Sequence, residues 1–273
     1  MDNNFLKNTF SKVITDYDFA RPTYPEAVYQ QIMQFSEIGE NAKILEVGAG
    51  TGQATDLFVN SNFYSQSNKR INNFYLDLLE VSDEQVAFLE NKYHKYPQIT
   101  VKKDYFEEYK TDKQYDLIYS ATAFHWVKSD IGYPKAWEML KPGGTLAVFW
   151  QMSSVTYYND GIFKGLNAIK QKYLPNESLG FDTQGINKVK EKRISQIQSG
   201  GYFEMPEIYE FRWTDTYDAD KYTKLVNTYS STQTLQEDVK NAYLEEIKRY
   251  INNNGCIVIL PHLVMLYLVK KTH

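Results

Sequence analysis

Apolar and polar positions change their rhythm in blocks along this chain, and each block predicts an element. Lys43 to Val47 is a short apolar run that breaks into glycines, which reads as a strand entering a turn, and Gly52 to Asn60 continues with helical spacing. Asn73 to Glu80 is apolar enough for a second strand. Asp83 to Tyr93 places Val86, Phe88 and Leu89 as a helix would, and Ile99 to Lys102 is a short third strand. Tyr115 to Ser120 is a fourth strand and Tyr133 to Leu140 a helix. Lys141-Pro142-Gly143-Gly144 is a stop and turn before a fifth strand over Thr145 to Trp150. Upstream, Pro25 suits the start of a helix over Glu26 to Phe35.

Strand and helix alternating in this way predict a mostly parallel, Rossmann-like α/β sheet with helices on both faces. After Trp150 the rhythm changes. Residues 153–201 are polar and mostly helical, end at Gly200-Gly201, and read as a helical insertion over the sheet edge. Glu207 to Thr214 alternates Ile208, Tyr209, Phe211 and Trp213 as a sixth strand does. Two helical stretches follow within 218–252, and Cys256 to Val269 reads as a buried strand pair. The expected organisation is a single domain, 1–273. It comprises an N-terminal lid and helix (1–36), a core (37–152), the insertion (153–201) and the C-terminal part of the sheet (202–273).

The turn after the first strand is the most informative stretch. Glu46-Val47-Gly48-Ala49-Gly50-Thr51-Gly52 spaces its glycines by two, whereas a dinucleotide site wants G-x-G-x-x-G with pyrophosphate on the helix N-terminus. Glycine lets a backbone approach a nucleotide-like ligand closely. An acid beside the turn suits a ligand with a cationic end and no pyrophosphate, and S-adenosylmethionine is such a ligand.

Composition narrows the partners. The net charge of −4, with no long Lys/Arg block, argues against a grip on duplex nucleic acid. One cysteine, Cys256, excludes an intrachain disulfide, suits a reducing and hence cytoplasmic setting, and is expected in the core. The polar N-terminus lacks a signal peptide's apolar core, and the apolar run Cys256 to Val269 is broken by Pro261-His262 and too short to span a bilayer, so no membrane partner is expected. Histidines 94, 125, 262 and 273 are scattered, so no metal site is expected. Nothing in the pattern selects an oligomeric state.

Four landmarks carry a family resemblance: Tyr17 to Pro25, Glu46 to Gly52, Phe124-His125-Trp126 and Lys141 to Gly144. Along essentially its whole length the chain resembles a class I S-adenosylmethionine-dependent methyltransferase. Within that class it is similar to the type 11 group that includes trans-aconitate methyltransferase-like enzymes. The resemblance implies a seven-stranded sheet with the last strand antiparallel, and S-adenosyl-L-methionine as cofactor. It implies that Glu46, Gly48, Ala49, Gly50, Thr51 and Gly52 lie against the methionine part, and that Tyr17 and Arg21 fold over it, with Arg21 on its carboxylate. Glu80, followed by Val81, is expected at the ribose hydroxyls. Asp77 competes with it, on the opposite face of the strand. Adenine is expected at Asp104 or at the backbone of Tyr105 and Phe106, and Ser120 and Ala121 complete the cofactor side.

The acceptor side is expected at Tyr24, His125, Trp126, Trp150 and Tyr229, with Tyr157, Tyr158 and Trp213 as further walls. His125 is either a general base, a substrate contact or, with Trp126, packing at the strand end; an acceptor already ionised needs no base. The Trp126 ring offers a face that a sulfonium favours. The expected reaction is direct displacement of the methyl by a small-molecule carboxylate, hydroxyl or amine. Two alternatives stand beside it, a methyltransferase of RNA or protein, which needs an extended basic face, and a non-catalytic binder of S-adenosylmethionine or S-adenosylhomocysteine.

Overall fold

The computed structural model describes residues 18–60, 63–64, 70–71, 73–152, 161–177 and 183–272. Tyr17, Tyr157 and Tyr158 lie outside the described residues. Strands form where apolar residues run without a polar break. Ile44, Leu45 and Val47 of β1 (Ala42–Val47) are no more than 4% exposed, as are Leu76, Leu78 and Leu79 of β2 (Phe74–Glu80) and Leu117, Ile118 and Tyr119 of β4 (Tyr115–Ala121). Burial of successive residues means that both faces are covered, as parallel strands require. β1 pairs in parallel with β2 and β4, β2 with β3 (Ile99–Lys103), and β4 with β5 (Leu140–Met152). With β6 (Glu207–Asp218) and β7 (Ile257–Lys270) the strands form one seven-stranded sheet, order β3-β2-β1-β4-β5-β7-β6. The last strand is antiparallel. The strand order reverses between β1 and β4, and open α/β sheets bind ligands outside the carboxyl ends of such strands.

The connecting helices begin where the sequence supplies caps. Ser82 Oγ accepts the Gln85 N–H (3.3 Å) at the head of α3 (Asp83–Tyr93), whose first turn is acidic and whose last turn carries Lys92, in accord with the helix dipole. α1 (Glu26–Ser36) and α2 (Gln53–Asn60) match their expected spans closely. A two-residue ladder, Phe63–Tyr64 with Arg70–Ile71, occupies part of the stretch between α2 and β2 that showed no strand signal.

Three expectations are corrected. α4 (Ser129–Met139) starts one turn before the expected Tyr133, with Pro134 inside it. Lys141 to Gly144 do not precede β5 but lie within it. Tyr115 pairs with Leu140 and Leu117 with Thr145, so four residues of β5 face the single residue Asp116. Lys141 Nζ binds both oxygens of Asp116 at 2.7 Å, and a Cβ on Gly144 would meet the Lys141 carbonyl at 2.9 Å, which is why the bulge holds glycine. Finally, Cys256 to Val269 is not a strand pair but the single strand β7, and Cys256 is exposed, with φ of 65°. Pro261 sits where the alternating, partly exposed start of β7 passes into its fully buried half, Leu263 to Val269.

The chain divides into two compact units. One comprises Thr23–Gln151, Val189–Phe211 and Val264–His273; the other comprises the described residues of Met1–Pro22, Met152–Lys188 and Arg212–Leu263. The second unit has its own core. Leu166 and Ile169 of α5 (Gly161–Tyr173), Leu225 and Val226 of α7 (Ala219–Asn227), and Tyr243, Ile247 and Ile251 of the long helix α9 (Glu237–Asn253) pack with Tyr217 and Val258. The four-residue spacing of Tyr243, Ile247 and Ile251 is one helical stripe. α6 (Thr183–Gln198) and the single turn α8 (Ser230–Gln233) complete the helices that follow β5.

Ile251 is fully buried in that stripe. Ile251→Ala is expected to lower unfolding free energy by about 2–5 kcal/mol, read from urea denaturation; a change below 1 kcal/mol would mean that this core closes around the gap.

Candidate active site

The site is built on the carboxyl ends of β1, β2 and β4. Its first component is the glycine turn. Gly48 and Ala49 N–H both donate to the Leu79 carbonyl (2.8 and 3.2 Å), and Gly50 N–H donates to Glu80 Oε2 (2.8 Å). The other Glu80 oxygen accepts the N–H groups of Val81 (2.7 Å) and Ser82 (3.2 Å). One carboxylate therefore joins the glycine turn to the head of α3. The turn glycines all have positive φ, 74° at Gly48, 61° at Gly50 and 89° at Gly52, a region in which side chains are strained.

They differ in their surroundings. A Cβ on Gly48 would lie 2.5 Å from Ala123 Cβ, and one on Gly52 would lie 2.2 Å from the Tyr93 hydroxyl. Both positions are closed by protein. A Cβ on Gly50 would meet only Gln85 Nε2, at 4.0 Å. Beside it the Thr51 hydroxyl is buried and has no hydrogen-bond partner among the described residues. Gly50 is thus the place where the turn leaves room for a ligand.

Glu46 lies beneath the turn rather than on it. Its carboxyl is buried, and Oε2 accepts both the Thr55 hydroxyl (2.5 Å) and the Tyr119 hydroxyl (2.6 Å), which ties β1 to α2 and β4. Loss of hydration pushes its pKa up to about 7, against the lowering effect of those two bonds. Asp77 is also buried, but its oxygens go to Lys113 Nζ (2.9 and 2.7 Å) and the Tyr115 hydroxyl (2.7 Å). Asp104 follows β3, donates its N–H to the Glu80 carbonyl (3.1 Å) and accepts the Tyr105 N–H (2.8 Å); Phe106 is buried against Phe124. Ser120 Oγ donates to the Val47 carbonyl (2.7 Å), so its hydroxyl links β4 to β1, and Ala121 ends β4.

The second component follows β4. Thr122 has φ of 53°, rare for a branched residue, and its Oγ1 accepts the Gln151 N–H (3.2 Å) and hydrogen-bonds with the Tyr24 hydroxyl (2.9 Å). Tyr24 packs edge-on against Phe149 (5.0 Å). A short 3-10 turn, Phe124–Trp126, then presents His125 and Trp126, whose rings are 4.7 Å apart. Trp150 Nε1 donates to His125 Nδ1 (3.1 Å), which makes Nδ1 the acceptor and leaves the proton of the neutral ring on Nε2. His125 is exposed, and crowding around the ring, helped by the charge of Arg193, lowers its pKa, in the direction that the Trp150 bond demands. His125 is therefore neutral and a donor near pH 7.

Arg193, on α6, stacks over Trp150 (4.3 Å), and Tyr267 packs edge-on against the same indole (5.7 Å). Neither residue was singled out by its sequence pattern. An arginine in a polar helix and a tyrosine in an apolar strand carry no local signal, and their chain separation from Trp150 hides the cluster.

In the second unit, Arg21 and Tyr229 meet each other. The guanidinium lies 5.0 Å over the ring and Nη2 donates to the Thr228 carbonyl (3.1 Å). Trp213 there stacks on His262 (5.0 Å), and both point a nitrogen at Asp215 Oδ2 from 3.1 Å.

A family model described as a methyltransferase domain matches residues 45–146. An uncharacterized methyltransferase of Schizosaccharomyces pombe is 24% identical over 250 residues, covering 90% of this chain and 89% of the relative. The chain carries a methyltransferase domain over residues 45–146 and is an S-adenosylmethionine-dependent methyltransferase. Its cofactor is S-adenosyl-L-methionine. A malonyl-[acyl-carrier protein] O-methyltransferase 2 of Ilyobacter polytropus is 27% identical over 155 residues, 54% of this chain and 56% of the relative. Among solved structures, the phosphoethanolamine N-methyltransferase 2 of Haemonchus contortus in complex with S-adenosyl-L-methionine aligns with a TM-score of 0.53 at 12% identity, covering 99% of this methyltransferase and 60% of that chain. The YcgJ protein of Bacillus subtilis aligns with a TM-score of 0.52 at 11% identity over 91% of this chain and all of that one. No helix among the described residues is long and apolar enough to cross a membrane.

The raised pKa of Glu46 has a consequence for stability. Between the ordinary value of 4.5 and about 7 the folded protein holds a proton that the unfolded chain releases, so the contribution of Glu46 is fully present below pH 4.5 and is lost as pH rises to about 7. Glu46→Gln, whose amide oxygen can still accept both hydroxyls, is expected to gain up to about 3 kcal/mol relative to wild type across that window in urea titrations at a series of pH values. A pH-independent difference would mean that Glu46 ionises normally.

Proposed function

We propose that this methyltransferase transfers the methyl group to a small-molecule acceptor by direct displacement. The observation that carries the reading is the opening at Gly50 beside the unpartnered Thr51 hydroxyl, one strand away from the neutral His125. The resemblance to the type 11 group belongs to the same reading, as does the cytoplasmic setting expected from a lone cysteine. When bound, S-adenosylmethionine supplies an electrophilic methyl on a sulfonium whose leaving group is neutral.

The chain's own residues then hold and align. The backbone of Gly48 to Gly52 takes the amino-acid end of the cofactor at the open Gly50 position. Glu80, already aligned by Val81 and Ser82, is the ribose acceptor. The bonds of Asp77 to Lys113 and Tyr115 favour Glu80 over it in that role. Asp104 and the backbone of Tyr105 and Phe106 take adenine. Alignment of this kind contributes much of the rate of a displacement that needs no covalent help from the protein.

At His125 the Trp150 bond occupies the nitrogen that would accept a proton, so the residue orients the acceptor as a donor. That arrangement favours an acceptor atom already ionised at neutral pH over one that must lose a proton. The malonyl-[acyl-carrier protein] O-methyltransferase among the relatives is compatible with an oxygen acceptor.

Calorimetry with S-adenosylhomocysteine tests the cofactor half. Gly50→Val is expected to weaken binding at least 100-fold. Gly52→Ala, whose new Cβ runs into Tyr93, is expected mainly to lower the melting temperature. Wild-type affinity in folded Gly50→Val protein would remove the turn from the site.

A further inference from the structure

Among the described residues Arg193 makes no ion pair, and its side-chain hydrogen bond runs from Nη1 to the neutral Gln196 Oε1 (2.9 Å). Its Nε is buried and has no partner among the described residues. Burial works against its charge, and the groups that offset this are the phenols of Tyr133 and Tyr267 rather than an acid. An arginine kept this way loses hydration without the compensation of an ion pair, which a purely structural position would not select.

Its neighbours are donors too. Trp150 holds the guanidinium 4.3 Å above its indole and turns its own N–H to His125, which leaves the His125 Nε2–H as the free polar edge of that ring. The Tyr267 hydroxyl is buried as well and has no partner among the described residues. A cluster of an arginine fork, an imidazole N–H and a phenol presents several hydrogens and one positive charge. Such a set suits a planar anion, which a guanidinium binds through two parallel bonds, and it repels an ammonium.

We propose that Arg193 receives a carboxylate of the methyl acceptor, with Tyr267 and His125 as neighbouring donors, so that the acceptor is an organic acid. The inference rests on reading the surroundings of His125 as the acceptor side. It narrows the carboxylate, hydroxyl or amine of that reading to molecules that carry a carboxylate, and Trp150 serves to hold the guanidinium in place.

The test is calorimetric titration of the S-adenosylhomocysteine-saturated protein with benzoate, succinate and citrate, each beside its uncharged amide. At least one acid is expected to bind while its amide does not. Arg193→Met is expected to weaken that acid by about 10- to 100-fold with unchanged S-adenosylhomocysteine affinity, and Arg193→Lys, which keeps charge but not the fork, by an intermediate factor. Equal acid affinity in folded Arg193→Met, amides that bind as well as acids, or no acid binding by the loaded protein would each overturn the proposal. Failure of S-adenosylhomocysteine itself to bind would instead count against the cofactor site. The acids would then be titrated into the unloaded chain, where binding that Arg193→Met abolishes supports the anion site and its absence overturns it.

Discussion

Three successive N–H groups of the turn after β1 end on the last two residues of β2. Gly48 and Ala49 donate to the Leu79 carbonyl and Gly50 to the Glu80 carboxylate. Everything at the site depends on that anchorage. It forces positive φ on the turn, which only glycine adopts without strain, and it fixes where the open position at Gly50 lies relative to the strand end. Beneath it, Glu46 joins α2 and β4 through two hydroxyls. A buried acid held by neutral donors is a costly element, and its position under the turn shows where the fold accepts that cost.

The second dependency is a choice of proton. An indole N–H on one imidazole nitrogen decides the tautomer, and the tautomer decides what His125 can do. The residue pattern leaves base, contact and packing open, because a histidine after a strand looks the same in all three cases. The Trp150 bond turns it into a neutral donor, and Arg193 above Trp150 makes the neighbourhood electropositive without adding an acid. On the proposed reading, methyl transfer here is mostly a matter of holding an already reactive acceptor, which suits a site made of donors.

Sequence patterning is most legible where one local rule suffices. α3 spans Asp83–Tyr93 as expected, because Ser82 is a good cap and the apolar spacing is regular. It is least legible where a distant partner changes the meaning of a local signal. Lys141 to Gly144 carry every mark of a turn, yet Asp116 on the neighbouring strand draws them into β5 as a bulge. Pro261 and Cys256 read as an interruption and a core residue. Sheet pairing carries the strand through the proline, and the cysteine falls just before β7, exposed.

The sequence by itself determined the strand–glycine–helix order, the acids at the ends of β1 and β2, and the family to which they point, because these rest on spacing within a few residues and on what glycine alone can do. Only the tertiary structure decided that Asp77 belongs to Lys113 and Tyr115 while Glu80 holds the turn, that Gly50 is the open glycine of the three, and that Arg193 stands over Trp150 with no acid paired to it among the described residues. Each of those outcomes is set by which groups from distant parts of the chain compete for the same carboxylate, the same space or the same ring. That competition is settled by packing, which local pattern does not encode.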